Sequence, residues 1–131
     1  MNKPPISASA ARLLILLNAL VWLAFGVIIA VGAHPALPES VLLQRAMAIL
    51  GLFTAAILLV LYALLGRRSR LAFFVALAVL MSLSVVTIAD EVGLADLAVL
   101  GITLAAIVCL IGGRAWFLQG RAGAPDPNRA A

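Results

Sequence analysis

The sequence predicts an all-α fold, an integral membrane four-helix bundle of two antiparallel helical hairpins with both chain ends in the cytoplasm. Composition, the length of the apolar runs and the placement of charges predict it. Of the 131 residues, 66% are hydrophobic and 11% are charged, whereas a soluble domain is about half apolar and about a quarter charged. A bilayer accommodates so much apolar surface. Length and composition therefore predict one compact membrane domain.

Four apolar runs, each about as long as a bilayer is thick, divide the chain. About 20 helical residues at roughly 1.5 Å each span the hydrocarbon core. We expect Gly93 to end the third helix in a left-handed conformation. Residues 1–11 are expected to be a loose N-terminus and residues 119–131, with two prolines and two glycines, a disordered tail. The single domain, residues 12–118, is expected to hold helices over about 12–33, 40–66, 70–91 and 94–118.

The charged residues fall into two groups that predict the orientation. One group has eight basic residues and one acidic residue, a net +7, and the other has one basic and four acidic residues, a net −3; together they give the formal net charge of +4. The excess of lysine and arginine predicts that the first group is cytoplasmic. The first group is Lys3, Arg12, Arg67, Arg68, Arg70, Arg114, Arg121, Asp126 and Arg129, and the second is Glu39, Arg45, Asp90, Glu91 and Asp96.

The sequence lacks the motifs of several function classes. The pI of about 10.7 does not predict nucleic-acid binding, because the basic residues punctuate apolar runs and form no basic face. Cys109 is the only cysteine, so an intrachain disulfide and thiol-oxidoreductase chemistry are excluded. His34 alone cannot build a zinc or haem site. With no nucleophile–base pair or phosphate loop, we expect no enzyme activity, no cofactor and no metal.

A cleaved signal peptide is the competing interpretation of the first run. Val31-Gly32-Ala33 loosely resembles a cleavage site. The apolar stretch of a signal peptide has about 7–15 residues, and this run is longer. We therefore favour a membrane-spanning helix.

Small residues recur every fourth position in the fourth run, at Gly101, Ala105, Cys109 and Gly113. Such series allow helix backbones to approach closely in lipid. Gly26 and Gly51 begin similar, shorter series in the first two runs. We favour packing inside the bundle, and a dimer seam on the fourth helix is the alternative.

Several polar residues lie inside the apolar runs. Asn18 and Trp22 share a face of the first helix, which favours an interhelical hydrogen bond at Asn18 and packing of the Trp22 ring against small residues. The alternative is a lipid or quinone-like pocket. For Ser82, Ser84 and Thr87 we expect hydrogen bonds to carbonyls of their own helix.

The polar cluster on the outer side comprises Arg45, Asp90, Glu91 and Asp96. Asp90 and Glu91 end the third helix, where the helix dipole disfavours negative charge, whereas Asp96 begins the fourth, where the dipole favours it. Arg45 is the only basic residue at that depth. We favour a structural ion-pair network; the alternative is a proton or cation site on Asp90 or Glu91.

The four-run plan resembles that of the small multidrug exporters. The resemblance implies proton-driven drug export, in which a membrane-embedded glutamate in the first helix binds both the protons and the drug. The first run here holds Asn18 and no acidic residue, which argues against that activity. We therefore expect an accessory, scaffold or complex subunit of a bacterial inner membrane, acting through helix packing as a homodimer or in a larger complex. The alternative is a small transporter or permease that uses Asp90 and Glu91.

Overall fold

The computed structural model describes residues 3–33, 39–89 and 93–119, and none of these residues lies in a β-strand. The helices follow one another as α1 (Ile6–Ala30), α2 (Val41–Gly66), α3 (Arg70–Ala89), α4 (Leu94–Gly112) and α5 (Arg114–Leu118). The predicted all-α four-helix bundle is confirmed.

The four long helices have the length and composition of membrane spans. They have 25, 26, 20 and 19 residues and are strongly apolar throughout. Large apolar side chains point outward along the bundle, including Leu13, Phe53, Leu71 and Val108. A lipid environment accommodates such a surface, because the outside of a membrane bundle is as apolar as its inside.

The α1 helix makes the most extensive contacts in the bundle. It packs along α2 and, less extensively, along α4, while α3 packs mainly against α4. The contact between α2 and α3 is the smallest of the four. The helices therefore follow the order α2, α1, α4, α3 around the bundle, and the α2–α3 side is the most open.

Glycines allow the backbones of α1 and α2 to touch. An ideal Cβ at Gly51 would lie 3.1 Å from the Cα of Gly26, and one at Gly26 would lie 2.9 Å from the backbone nitrogen of Leu52. Both glycines are buried. The internal packing expected of these two residues is present.

The turn after α1 explains Gly32 structurally. Gly32 has a φ of 73°, and the backbone N–H groups of Gly32 and Ala33 donate to the carbonyls of Ile29 and Ile28, both at 3.0 Å. This is the left-handed helix ending that favours glycine. Gln44 Nε2 then donates to the Ile29 carbonyl at 2.9 Å, which joins the start of α2 to the end of α1.

The structure changes three predicted helix boundaries. The first helix ends at Ala30 instead of near residue 33, because the left-handed turn at Gly32 follows it. The first helix begins at Ile6 within the stretch expected to be loose, because Ala8 is buried against Gly113, whose ideal Cβ would lie 3.2 Å from the Cα of Ala8. The fourth helix ends at Gly112, and the short helix α5 follows after Gly113. The third helix was predicted to end at about residue 91, and residues 90–92 lie outside the described residues. The predicted tail lies outside them from residue 120 onward.

The prediction that Gly93 is left-handed is wrong. Gly93 has φ −89° and ψ 173° and is the residue before α4. Its N–H donates to Asp96 Oδ2 at 2.9 Å. Gly93 is therefore ordered by the helix that follows it, and the favourable place predicted for Asp96 at the start of α4 is confirmed.

Candidate functional site

The polar cluster predicted on the outer side is described only in part. Asp96 lies in the first turn of α4 and is bonded to Gly93, and Arg45 lies exposed in the second turn of α2. Asp90 and Glu91 lie outside the described residues. Their pairing with Arg45 stays a prediction.

A buried polar pair joins α1 to α4 at mid-height of the bundle. Asn18 Nδ2 donates to Thr103 Oγ1 at 2.8 Å, and Thr103 Oγ1 donates to the Val99 carbonyl at 2.7 Å. Asn18 and Thr103 are 1% and 2% exposed. This is an interhelical hydrogen bond of the kind expected at Asn18, and Thr103 is a partner that sequence reasoning missed. Thr103 is the only hydroxyl-bearing residue in α4, so the sequence did mark it as a possible hydrogen-bond partner for Asn18.

Two buried polar atoms in the middle of α1 have no hydrogen-bond partner among the described residues. They are Asn18 Oδ1 and Trp22 Nε1. The Trp22 ring meets Phe25 edge to face, with 5.8 Å between the ring centroids, so it packs on an aromatic neighbour as well as on the core. An unpaired acceptor and an unpaired donor therefore lie one turn apart on α1.

The small residues of the fourth run divide between two environments. Gly113 is buried against α1. Gly101 and Ala105 are exposed, and Cys109 is partly exposed. An ideal Cβ at Gly101 would meet no described atom within 4 Å. The internal contact expected at Gly101 is therefore absent among the described residues, because this face of α4 turns away from the other helices.

The hydroxyl groups of α3 bond within their own helix, as predicted. Ser82, Ser84 and Thr87 donate to the carbonyls four residues earlier at 2.9, 3.0 and 2.9 Å. These bonds satisfy the hydroxyl hydrogens without a polar pore.

An apolar groove follows the open side between α2 and α3. Its volume is about 250 Å³, larger than the ~150 Å³ apolar cavity that holds benzene. Thr54, Ile57, Ala78, Val79, Ser82, Leu83 and Val86 line it. Nothing in the sequence pattern predicted this groove, because it arises where two helices diverge.

Two arginines lie on aromatic rings at the end of the bundle formed by the start of α1, the end of α2 and α5. The Arg12 guanidinium lies 4.8 Å from the centre of the Tyr62 ring, and the Arg68 guanidinium lies 3.6 Å from that of Trp116. Nε is buried in both arginines and has no hydrogen-bond partner within residues 3–33, 39–89 and 93–119. We call Arg12, Tyr62, Arg68 and Trp116 the arginine–aromatic cluster; sequence reasoning treated its arginines only as topology signals.

No protein-family model, curated protein or solved structure matches the chain. The class of the protein therefore comes from its own structure: an all-α bundle whose four long helices can each span a membrane. No group of three potential metal ligands occurs among residues 3–33, 39–89 and 93–119.

Proposed function

We propose that this protein is an accessory or scaffold subunit of a bacterial inner membrane, which acts through lateral helix packing and self-associates along α4. The observation that carries the proposal is the open space at Gly101. The described part of the bundle supplies no neighbour for this glycine. A second helix laid along Gly101 and Ala105 would gain the close backbone contact that drives association in lipid.

The composition of the face supports a second copy of the chain as the neighbour. Gly101 and Ala105 lie one turn apart and are exposed, with Cys109 partly exposed one turn further. Glycine costs about 1 kcal/mol relative to alanine in a helix interior, so an exposed glycine with no internal packing role gains a reason if a partner backbone lies against it. The same face on two copies is self-complementary around a two-fold axis.

The experiment compares leucine substitutions on two lipid-facing surfaces. Gly101→Leu and Ala105→Leu place a branched side chain in the proposed seam, and Ala56→Leu does the same on an exposed position of α2. We expect the wild type and Ala56→Leu to form dimers in lipid vesicles, and the two α4 variants to be monomers. Energy transfer between labelled copies in vesicles measures association, and crosslinking through Cys109 reports how close the two α4 helices lie.

Folding and association are separable at Gly101. Because the space beside Gly101 is open, Gly101→Leu should keep the thermal stability of the monomer while it abolishes the dimer. A wild type that stays monomeric in vesicles, or an equal effect of all three leucine variants, would contradict self-association along α4.

A further inference from the structure

We propose that the arginine–aromatic cluster is a binding site for the phosphate group of an anionic phospholipid, held by Arg12 and Arg68. The site lies at one end of the bundle, away from Gly101 and Ala105 in α4. It is therefore independent of the proposed self-association. Four observations carry it: the fixed position of Arg12, the backbone conformation of Arg68, the absence of described carboxylates at this end, and the apolar surroundings.

Arg12 is held in place by packing. Its guanidinium lies over Tyr62 and against Gly66, where an ideal Cβ would lie 2.9 Å from Arg12 Nη2. Glycine at this position therefore makes room for the guanidinium between α1 and α2. An arginine that served only as a topology signal would need no such fixed place, because positive charge near the helix end is sufficient for that role.

Arg68 occupies a conformation that favours glycine. It follows the end of α2 with a φ of 55°, the only positive φ among the described non-glycine residues. Its N–H donates to the Leu65 carbonyl at 3.1 Å, which is the position where glycine ends many helices. The fold alone would be served better by glycine here, so the arginine side chain has a role that offsets the backbone cost.

The charge at this end matches an anion. The described acidic residues are Glu39 and Asp96, and both lie at the other end of the bundle. The Arg12 and Arg68 guanidinium groups lie 4.8 and 3.6 Å from the centres of the Tyr62 and Trp116 rings, and no described carboxylate offsets either positive charge. The planar fork of a guanidinium group suits the oxygens of a phosphate group.

The surroundings indicate a lipid rather than a soluble anion. Leu13, Leu64 and Leu71 lie at the same end of the bundle and are exposed. A ligand with its phosphate at the arginines and acyl chains along these leucines would satisfy both surfaces. Basic pockets between transmembrane helices at the membrane surface bind lipid headgroups in this way.

The experiment measures which lipids the purified full chain retains. The protein in a mild neutral detergent is titrated with phosphatidylglycerol or phosphatidylcholine, and native mass spectrometry counts the bound lipids. We expect the wild type to prefer phosphatidylglycerol. Loss of one charge-assisted contact should weaken that binding on the order of tenfold in Arg12→Gln and Arg68→Gly. Arg70→Gln and Arg114→Gln, which remove the same charge from exposed positions at this end, should change it little.

Arg68→Gly separates binding from folding. Glycine suits the φ of 55°, so relief of the backbone offsets the lost Trp116 contact and the melting temperature should change little. This variant decides the proposal even if Arg12→Gln fails to fold. Equal losses in all four variants, or no preference between the two lipids, would overturn the site. Equally strong competition by glycerophosphoglycerol, which has the headgroup without acyl chains, would overturn the assignment to lipid.

Discussion

The Asn18–Thr103 hydrogen bond predicts an unusual order of stabilities among three variants. Thr103→Val preserves side-chain shape but removes the acceptor for Asn18 Nδ2. Since Asn18 Oδ1 is already without a partner, the buried amide would then have no side-chain partner at either end. Leaving a buried polar group unsatisfied costs about 1–3 kcal/mol, and interhelical hydrogen bonds in membranes are worth ~0.6 and at most ~1.7 kcal/mol. We expect Thr103→Val to lower the free energy of unfolding by about 1–2 kcal/mol.

Asn18→Leu should cost less, although it removes the same hydrogen bond. The substitution also removes the unpaired Oδ1, and Thr103 Oγ1 still donates to the Val99 carbonyl, so no new buried donor is left unsatisfied. The double variant Asn18→Leu/Thr103→Val should therefore be more stable than Thr103→Val alone. That recovery is the signature of two groups that depend on each other.

Reversible unfolding in mixed micelles, followed by circular dichroism, measures these differences. Thr87→Val is the matched control, because the Thr87 hydroxyl donates to the Leu83 carbonyl of its own helix and has no interhelical partner in the described part of the chain. We expect the control to change stability by less than about 0.5 kcal/mol. If Thr103→Val is no worse than Thr87→Val, or if the double variant shows the simple sum of the single effects, the hydrogen bond does not stabilise the bundle.

Three further predictions follow from the packing and the charges. Gly26→Ala should destabilise the bundle, because the new Cβ would lie 2.9 Å from the Leu52 backbone nitrogen. Gly101→Ala should stabilise the monomer by up to about 1 kcal/mol. A higher melting temperature for Gly26→Ala than for Gly101→Ala would contradict the described packing. Reporter fusions after Arg70 should read cytoplasmic and those within residues 33–40 external, and a cytoplasmic signal from residues 33–40 would reverse the predicted orientation. Arg45→Ala should cost less than about 1 kcal/mol, because Arg45 is exposed; a loss of several kcal/mol in denaturant unfolding would indicate a desolvated ion pair instead.

The number and type of helices could be predicted because lipid imposes them. A span needs about 20 apolar residues, and the sequence marks both ends of each such run with charge or with glycine and proline. The start of α1 was placed six residues too late, because Ala8 and Ala11 are neither charged nor strongly apolar. The burial of Ala8 depends on contact with Gly113, which no local pattern reveals.

The candidate sites were less predictable because each depends on which helices are neighbours. Asn18 was identifiable as a polar residue in need of a partner, but Thr103 became its partner only when α1 lay beside α4. Gly26 and Gly101 carry the same sequence signal, and the structure places one at a helix crossing and the other in open space. Arg68 could be distinguished from the other basic residues only by its positive φ at the end of α2, which the sequence does not reveal.

The two surfaces behind the proposals are far enough apart to be tested independently in one molecule. The twelve residue-to-residue steps from Gly101 to Gly113 cover about 18 Å at roughly 1.5 Å per step, and Arg68 contacts Trp116 beyond Gly113. Effects of substitutions more than about 7–10 Å apart, with no shared partners, add. The double variant Gly101→Leu/Arg68→Gly should therefore lose the dimer and the lipid preference together, each by the amount seen in the single variant. A lipid preference that falls in Gly101→Leu alone would mean that the dimer, rather than the single chain, binds the headgroup.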